Sequence, residues 1–417
     1  MKKVIYALID GVADRPVREL SGKTPLEAAE TPNLDKIAEK SVMGHVITVG
    51  KGVAPESDIA VFSMLGYSFS EGYPGRGVIE AIGAGIEFRD GYVAMRANFA
   101  TASDDMRLIL DRRAGRNLSE QEAKDLEEEI NSKVKLDDQK ASFIFRHTLG
   151  HRGVLIIRHE EMLSGEISNT DPGYVRAKGM GVAKSIGEAP SFEPCRPLLE
   201  ERSAILAASL VNDFTSKSFQ VLSRSEVNKA RVSRGYRPAN VLLLRDAGDS
   251  YPHIQKLGEK YGRRFSAVVD MPVEIGISKL AGLDIMISGK EDYEKKVKLT
   301  LESLKKSDVV YLHLKGPDEF GHDGMFEQKK EAIEEIDEMY FGPLLRQVGD
   351  DVVIAVSADH ATPCELKAHS DDPVPLMISN SSLGRDGLKR FTESNSKLGS
   401  LGLLKGVDVL GLIIKNA

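Results

Sequence analysis

The chain has 417 residues, 41% of them hydrophobic, which is enough for two or three domains with a sizeable core. Its formal net charge of −7 argues against a nucleic-acid-binding surface, so positive charge that meets an anionic partner must be local. No apolar run reaches the roughly 18 residues needed to span a membrane, and the two cysteines, Cys195 and Cys364, supply neither a disulfide framework nor a Cys-x-x-Cys metal motif.

Met1-Lys2-Lys3 runs straight into Val4-Ile5-Tyr6-Ala7-Leu8-Ile9 and offers no apolar stretch long enough for an export signal. With the cysteine usage, this makes a cytoplasmic location the expectation. The apolar run reads as a buried strand, and Asp10 closes it. Residues 1–66 read as strand, loop, helix, strand, loop, helix. Thr31-Pro32 opens one helix, with Thr31 as its cap and proline at the first position. Ser57 stands in Ala54-Pro55-Glu56-Ser57-Asp58-Ile59-Ala60, where a loop turns into an apolar helix. Serine is a preferred N-cap, so capping alone accounts for it. A helix amino terminus also stabilises an alkoxide or a phosphate, and a metal beside such a hydroxyl could ionise it for attack on phosphorus. Gly72-Tyr73-Pro74-Gly75-Arg76-Gly77, with Gly83 and Gly85, reads as a turn or hinge. A dinucleotide loop is a poor alternative, because the first strand ends in Asp10-Gly11 without Gly-x-Gly-x-x-Gly.

From about 90 to 235 the pattern changes. Strands at 92–100, 141–147 and 153–158 stand beside a charged helix at 119–133 and a longer helical region at 198–231. This mixture predicts an inserted α+β domain, a cap, over residues 73–239, with 1–72 and 240–417 forming a discontinuous core. Candidate cations for an anionic substrate are Arg112, Arg113 and Arg116, then His151 and Arg152, then Arg245 at the end of Val241-Leu242-Leu243-Leu244, and Lys279. The Arg-Arg-Ala-Gly-Arg run is the best of these, because its glycine lets backbone approach an anion.

Strand–helix alternation then returns. Asp318 and His322 follow the run 309–314, Asp359 and His360 follow 352–356, and His369 lies nine residues further on. Ligands collect at the carboxyl ends of strands in an open parallel sheet. Three strands therefore deliver carboxylates and imidazoles to one edge, enough for two divalent ions and phosphoryl chemistry. Asp318 and His322 are spaced to share one side of a helical turn.

Asp10-Gly11, Ser57-Asp58, Asp318-Glu319-Phe320-Gly321-His322-Asp323-Gly324, Ser357-Ala358-Asp359-His360 and His369-Ser370-Asp371-Asp372-Pro373-Val374-Pro375 together resemble the alkaline phosphatase superfamily. More narrowly, they resemble the archaeal-type, bisphosphoglycerate-independent phosphoglycerate mutases, and the resemblance covers nearly the whole chain. It implies an α/β, alkaline-phosphatase-like core sheet with helices on both faces and an inserted α+β cap. It implies that Asp10, Ser57, Asp359 and His360 hold one metal and that Asp318, His322 and His369 hold the other, as Mn²⁺, Co²⁺, Zn²⁺ or Mg²⁺. It implies interconversion of 2-phosphoglycerate and 3-phosphoglycerate through a phosphoserine at Ser57, in glycolysis and gluconeogenesis, with no bisphosphoglycerate cofactor. Two departures stand out. Glu56 and Gly173 occupy places where glycine and histidine are expected. The competing readings are a phosphomonoesterase or phosphonate hydrolase on the same core, a phosphopentomutase, and a non-catalytic metal-binding protein. The sequence leaves the oligomeric state open, a homo-oligomer included, and implies neither a nucleic-acid nor a membrane partner.

Overall fold

The computed structural model describes residues 2–68, 73–177, 180–183, 190–289 and 292–417. Gly72 of the glycine-dense stretch, where the cap was expected to begin, lies outside the described residues. The chain divides into two compact units, Met1–Ser70 with Ile254–Ala417, and Glu71–His253.

The first unit is built on an eight-stranded sheet. Its order is Asp284–Ile287, Phe265–Val269, Val309–Leu314, Lys3–Ile9, Val352–Ser357, Val374–Ser379, Ser41–Ile47 and Gly402–Lys405. The first five strands are parallel, and Val374–Ser379 runs antiparallel to both of its neighbours. Every residue of Val309–Leu314 and Val352–Ser357 is buried, as is every residue of Val4–Ile9. Both faces of the central strands are therefore covered, which explains why these runs read as continuously apolar rather than alternating. Each fully buried Val, Leu or Ile contributes about 1.5–3 kcal/mol. Register matters more for function than this burial does. Ile9 lies beside Leu314, and Leu8 beside both His313 and Ser357. Three neighbouring strands thus end almost level, and the residues that follow them share one edge.

The second unit has an antiparallel sheet in which Val93–Ala102 is central. It pairs with Ile109–Asp111, Arg152–His159 and Val241–Gly248, and Ala141–Leu149 pairs with Arg152–His159. A separate ribbon joins Tyr174–Ala177 to Met180–Ala183. The helix Glu120–Lys133 starts at Ser119 through a capping box with Glu122. The helical region expected at 198–231 is two helices, Arg202–Ser223 and Glu226–Ser233. Ser225 breaks it by capping the second helix, accepting from Val227 N. Strand period 2 divides the sheet. Val93, Met95, Ala97 and Phe99 join Leu126, Ile130, Val211 and Phe214 in one core, while Arg96 and Asn98 belong to the opposite face.

The expected return to the first unit at 240 moves to 254. Val241–Gly248 looks like one more strand of a parallel core, but it pairs with Val93–Ala102 in the second unit. Two glycines, one in the preceding helix and one at the end of this strand, show why it fits there. A Cβ at Gly77 would lie 2.5 Å from Ala94 O, and one at Gly248 would lie 1.8 Å from Pro74 O. Those glycines let the helix Arg76–Gly83 press its backbone onto this sheet. No helix among the described residues is long and apolar enough to cross a membrane.

Candidate active site

Asp10 directly follows the Lys3–Ile9 strand, and Asp359 and His360 follow Val352–Ser357. All three are buried. His360 Nε2 lies 3.2 Å from Asp359 Oδ2 and 3.5 Å from Asp10 Oδ1. These two carboxylate oxygens accept no hydrogen bond among the described residues. Ser57 Oγ lies 3.1 Å from the same His360 Nε2. Ser57 is not the cap that its helix was expected to need. Glu56 is the N-cap and Ser57 is the first residue of the helix Ser57–Met64, so its hydroxyl is turned to His360 rather than to the helix backbone.

Asp318 and His322 share the short helix Pro317–Asp323, with His322 Nε2 3.6 Å from Asp318 Oδ2. His369 Nε2 is 3.4 Å from Asp318 Oδ1 and 3.1 Å from His322 Nε2. Proton placement shows what this pair requires. His322 Nδ1 faces Lys367 O at 3.2 Å, and His369 Nδ1 faces Pro55 O at 2.7 Å. A carbonyl only accepts, so both Nδ1 atoms carry protons, and two Nε2 lone pairs would meet at the observed separation. A positive charge must lie between them. In the metal-free chain it is a proton on His369. Burial opposes that charge, but Asp318 pushes the His369 pKa up to about 10. A divalent ion serves the same purpose.

Grouped by proximity alone, His360 falls with Asp318 and His369, and a second group comprises Asp10, His313 and Asp359. The His360 ring does stack on His369, with centroids 3.7 Å apart. Its Nδ1, however, is taken up by Thr362 Oγ1 at 3.1 Å, which leaves only Nε2 as a ligand atom, and that atom points to Asp10, Asp359 and Ser57. The donor set of buried orphaned carboxylate oxygens and imidazole nitrogens fits divalent ions of the Mn²⁺, Co²⁺, Zn²⁺ or Mg²⁺ type.

Three neighbours escape sequence reading. His313, on its strand, lies 3.8 Å from Asp10 Oδ1 and 3.5 Å from Asp359 Oδ2 through Nε2, and 3.0 Å from Glu274 Oε1 through Nδ1. Lys315 Nζ donates to Asp10 Oδ2 at 2.9 Å and forms an ion pair with Glu274 Oε1 at 2.6 Å. Burial and Lys315 act against a charge on His313, but Glu274 and Asp359 push its pKa up to about 10. Burial works to raise Asp359 too, yet His360 and His313 hold its carboxyl far below the usual range. The only available signal was His313 inside an otherwise apolar run.

The second unit gathers a different set on the polar side of its sheet. Arg96 pairs with Glu80 at 3.0 Å and Asp246 at 3.1 Å, and Arg76 also pairs with Glu80. Arg245 bonds Asp171 at 3.1 Å and lies over the Tyr174 ring at 4.4 Å. Arg112 grips Asp171 with two bonds, at 2.7 and 3.0 Å. Gly173 makes this possible, since a Cβ there would lie 2.1 Å from the Arg112 guanidinium carbon. The Asn169–Gly173 loop thus anchors arginines where a histidine was expected. Thr170 Oγ1 accepts from Leu244 N at 2.8 Å and ties the same loop to the Val241–Gly248 strand. Arg152 makes no ion pair or side-chain hydrogen bond among the described residues. Burial and the neighbouring Arg96 lower its pKa, and burial with Arg152 pushes His151 down to about 3. Five arginines here (76, 96, 112, 152 and 245) face three carboxylates, so the cluster carries a surplus of positive charge suited to an anion.

The remaining candidates are placed otherwise. Arg113 is half-buried, and Arg116 is exposed in a left-handed conformation at φ 54°. The turn they flank is tied to Asp111, which accepts from Arg113 N and Gly115 N. Lys279 is exposed on the helix Pro272–Ala281 of the first unit, whose buried Glu274 reaches Lys315 and His313.

Comparisons with known proteins show the family. The sequence model of the family described as 2,3-bisphosphoglycerate-independent phosphoglycerate mutase matches residues 38–228. A protein of that name from Methanosphaera stadtmanae is 39% identical, with 99% of this chain and 97% of the relative aligned. The solved cofactor-independent phosphoglycerate mutase of Thermoplasma acidophilum superposes with a TM-score of 0.65 at 31% identity, covering 100% of this chain and 99% of that one. A solved protein from Pyrococcus horikoshii gives 0.78 at 29% identity, covering 99% and 97%. The mutase of Aeropyrum pernix is 44% identical over 97% of this chain and 96% of its own length, and the chain belongs to the 2,3-bisphosphoglycerate-independent phosphoglycerate mutases.

Proposed function

We propose that Ser57 carries the phosphoryl group between the two hydroxyls of glycerate, interconverting 2-phosphoglycerate and 3-phosphoglycerate through a phosphoserine. Members of this family need no bisphosphoglycerate and depend on divalent metal. The observation that carries the reading is the place of Ser57 Oγ, 3.1 Å from His360 Nε2 at the start of a buried helix, where that nitrogen also faces carboxylate oxygens of Asp10 and Asp359 that accept no hydrogen bond among the described residues.

On this reading Asp10, Ser57, Asp359 and His360 hold one divalent ion, and Asp318, His322 and His369 hold a second. When bound, such ions lower the pKa of a serine hydroxyl and offset charge on transferring phosphoryl oxygens. The rest falls to the chain. Ser57 Oγ forms a bond to phosphorus as the bond to the glycerate oxygen breaks, and that oxygen takes up a proton. The amino-terminal N–H groups of the Ser57–Met64 helix favour the phosphoryl anion beside it. The other glycerate hydroxyl then gives up its proton and bonds to phosphorus as the bond from Ser57 Oγ breaks, which returns Ser57 to its starting state. The glycerate must be retained for that second transfer. Arg152, Arg245, His151 and Arg112 are the residues we assign to its carboxylate and to the phosphate, with Arg113, Arg116 and Lys279 as secondary candidates. Loss of glycerate to solvent would leave a phosphatase. Cys195 and Cys364 are both free and buried, which supports the reducing cytoplasm expected from the sequence.

The test is to supply 3-phosphoglycerate without bisphosphoglycerate and to follow isomer and free phosphate in one reaction, with mass spectrometry of a quenched sample. Isomerisation with phosphate on the peptide that carries Ser57 is expected. Mostly free phosphate would replace the mutase reading with the hydrolase one.

A further inference from the structure

Thr362 lies two residues beyond His360 and is fully buried. Its hydroxyl has two partners, Asp318 Oδ1 at 2.6 Å and His360 Nδ1 at 3.1 Å. A carboxylate oxygen only accepts, so the threonine proton points at Asp318. The threonine oxygen must then accept from the ring, which puts the His360 proton on Nδ1 and leaves the lone pair on Nε2. That lone pair faces Ser57, Asp359 and Asp10.

The backbone of Thr362 is held as firmly. Its N–H donates to Ala13 O at 3.1 Å. Its carbonyl accepts from the fully buried Lys329 Nζ at 2.9 Å, and the same ammonium bonds Ala13 O at 3.2 Å and Asp14 Oδ2 at 2.8 Å. Two glycines leave the space. A Cβ at Gly11 would lie 2.6 Å from Thr362 Oγ1, and one at Gly321 would lie 2.5 Å from its carbonyl oxygen. The segments that follow Lys3–Ile9 and Val352–Ser357, and the helix Pro317–Asp323, therefore converge on this one residue.

We infer that Thr362 is a positioning residue that couples the two metal sites, fixing His360 as the Nδ1–H tautomer for one and orienting Asp318 for the other. The inference rests on the metal-centre reading above. Hydrogen bonds that orient ligands in this way are worth about 10–100-fold in metal affinity. Nothing in the sequence marks the residue, because Thr362 is neither a ligand nor a nucleophile.

Two substitutions separate its chemistry from its shape. Thr362→Val keeps the β-branch and removes both hydrogen bonds, and Thr362→Ser keeps the hydroxyl. Dissociation constants for two Zn²⁺ ions are measured by chelator competition, and the Co²⁺-loaded forms are compared by visible absorption. Two-bond ¹H–¹⁵N spectra of histidine-labelled wild type report which ring nitrogen of His360 carries the proton. We expect Nδ1–H at His360, both dissociation constants raised about 10–100-fold in the valine variant with an altered Co²⁺ spectrum, and near-recovery with serine. A wild type that binds no ion sinks the metal reading and this coupling together. A wild type that binds two ions, with a valine variant that binds either of them equally well, sinks the coupling alone. Should the valine variant not fold, the tautomer still decides, since a proton on Nε2 of His360 in wild type contradicts the inference.

Discussion

The two units carry opposite surpluses of charge. At the strand ends of the first, the carboxylates of Asp10, Glu274, Asp318 and Asp359 outnumber Lys315, which pairs with Asp10 and Glu274, and the two histidines whose pKa values are pushed up to about 10, His313 and His369. On the polar side of the sheet in the second, five arginines face Glu80, Asp171 and Asp246. Burying like charge is costly unless something compensates it. On the proposed function, one region is completed by cations and the other by an anion. The difference follows from topology. Parallel strands that end level bring their succeeding residues together from distant parts of the chain. An antiparallel sheet with one covered face collects every second residue on the other face.

The sharpest way to break this contrast is at Ser57. Ser57→Ala should lose about 10⁴-fold or more of isomerisation, as removal of a nucleophile does. It should still melt close to wild type, because the hydroxyl caps nothing. An alanine variant that turns over well would remove the nucleophile from the first unit altogether.

Metal removal comes next. Exhaustive chelation should abolish turnover, and Mn²⁺ or Co²⁺ should restore it. An ion at 100 times its dissociation constant adds about 2.7 kcal/mol of stability, so melting of the first unit should fall on chelation while that of the second stays put. His322→Ala should reduce the bound metal from two ions to one. Equal melting with and without chelator would show that the carboxylate surplus is compensated by protons alone.

A smaller effect separates two arginines of the second unit. Arg152→Ala removes a charge that has no ionic partner among the described residues, so it should weaken substrate interaction by about 1.5–3 kcal/mol at little or no cost in stability. It should also lower isomerisation more than phosphate release. Arg112→Ala breaks a bidentate pair with Asp171 and should cost stability even without substrate. Identical behaviour of the two variants would mean that the positive surplus is not located where the ion pairs leave it.

The smallest effect is a pH dependence. The folded-state pKa of His151 is depressed to about 3 by burial and Arg152, below the ordinary 6.5. Between those values the unfolded chain binds the proton and the folded chain does not. Stability is therefore lost as pH falls from 6.5 towards 3, at about 1.4 kcal/mol per pH unit at most. Relative to His151→Gln, wild type should lose melting temperature over that window, and saturating phosphoglycerate should reduce the loss. A flat difference between the two would place His151 away from the arginine surplus.

Much of the first unit was legible in sequence for a simple reason. Buried parallel strands must be apolar throughout, so polar residues directly after them, such as Asp10, Asp359 and His360, stand out without any knowledge of contacts. The pairing of Asp318 with His322 follows from helix geometry alone. Local sequence also determined the helix Glu120–Lys133, through its capping box. What lay beyond local sequence was everything decided by register and long-range pairing. His313 joins Asp10 only because it sits beside Leu8. Val241–Gly248 has the composition of a core strand, and only its pairing with Val93–Ala102 assigns it to the second unit and sets Arg245 beside Arg96. Ser57 became available for chemistry because Glu56 took the cap position, a choice between adjacent residues that propensity does not resolve. Composition and periodicity fix which residues must be buried. Which polar groups meet depends on how distant segments align, and that is settled only when the sheets close around them.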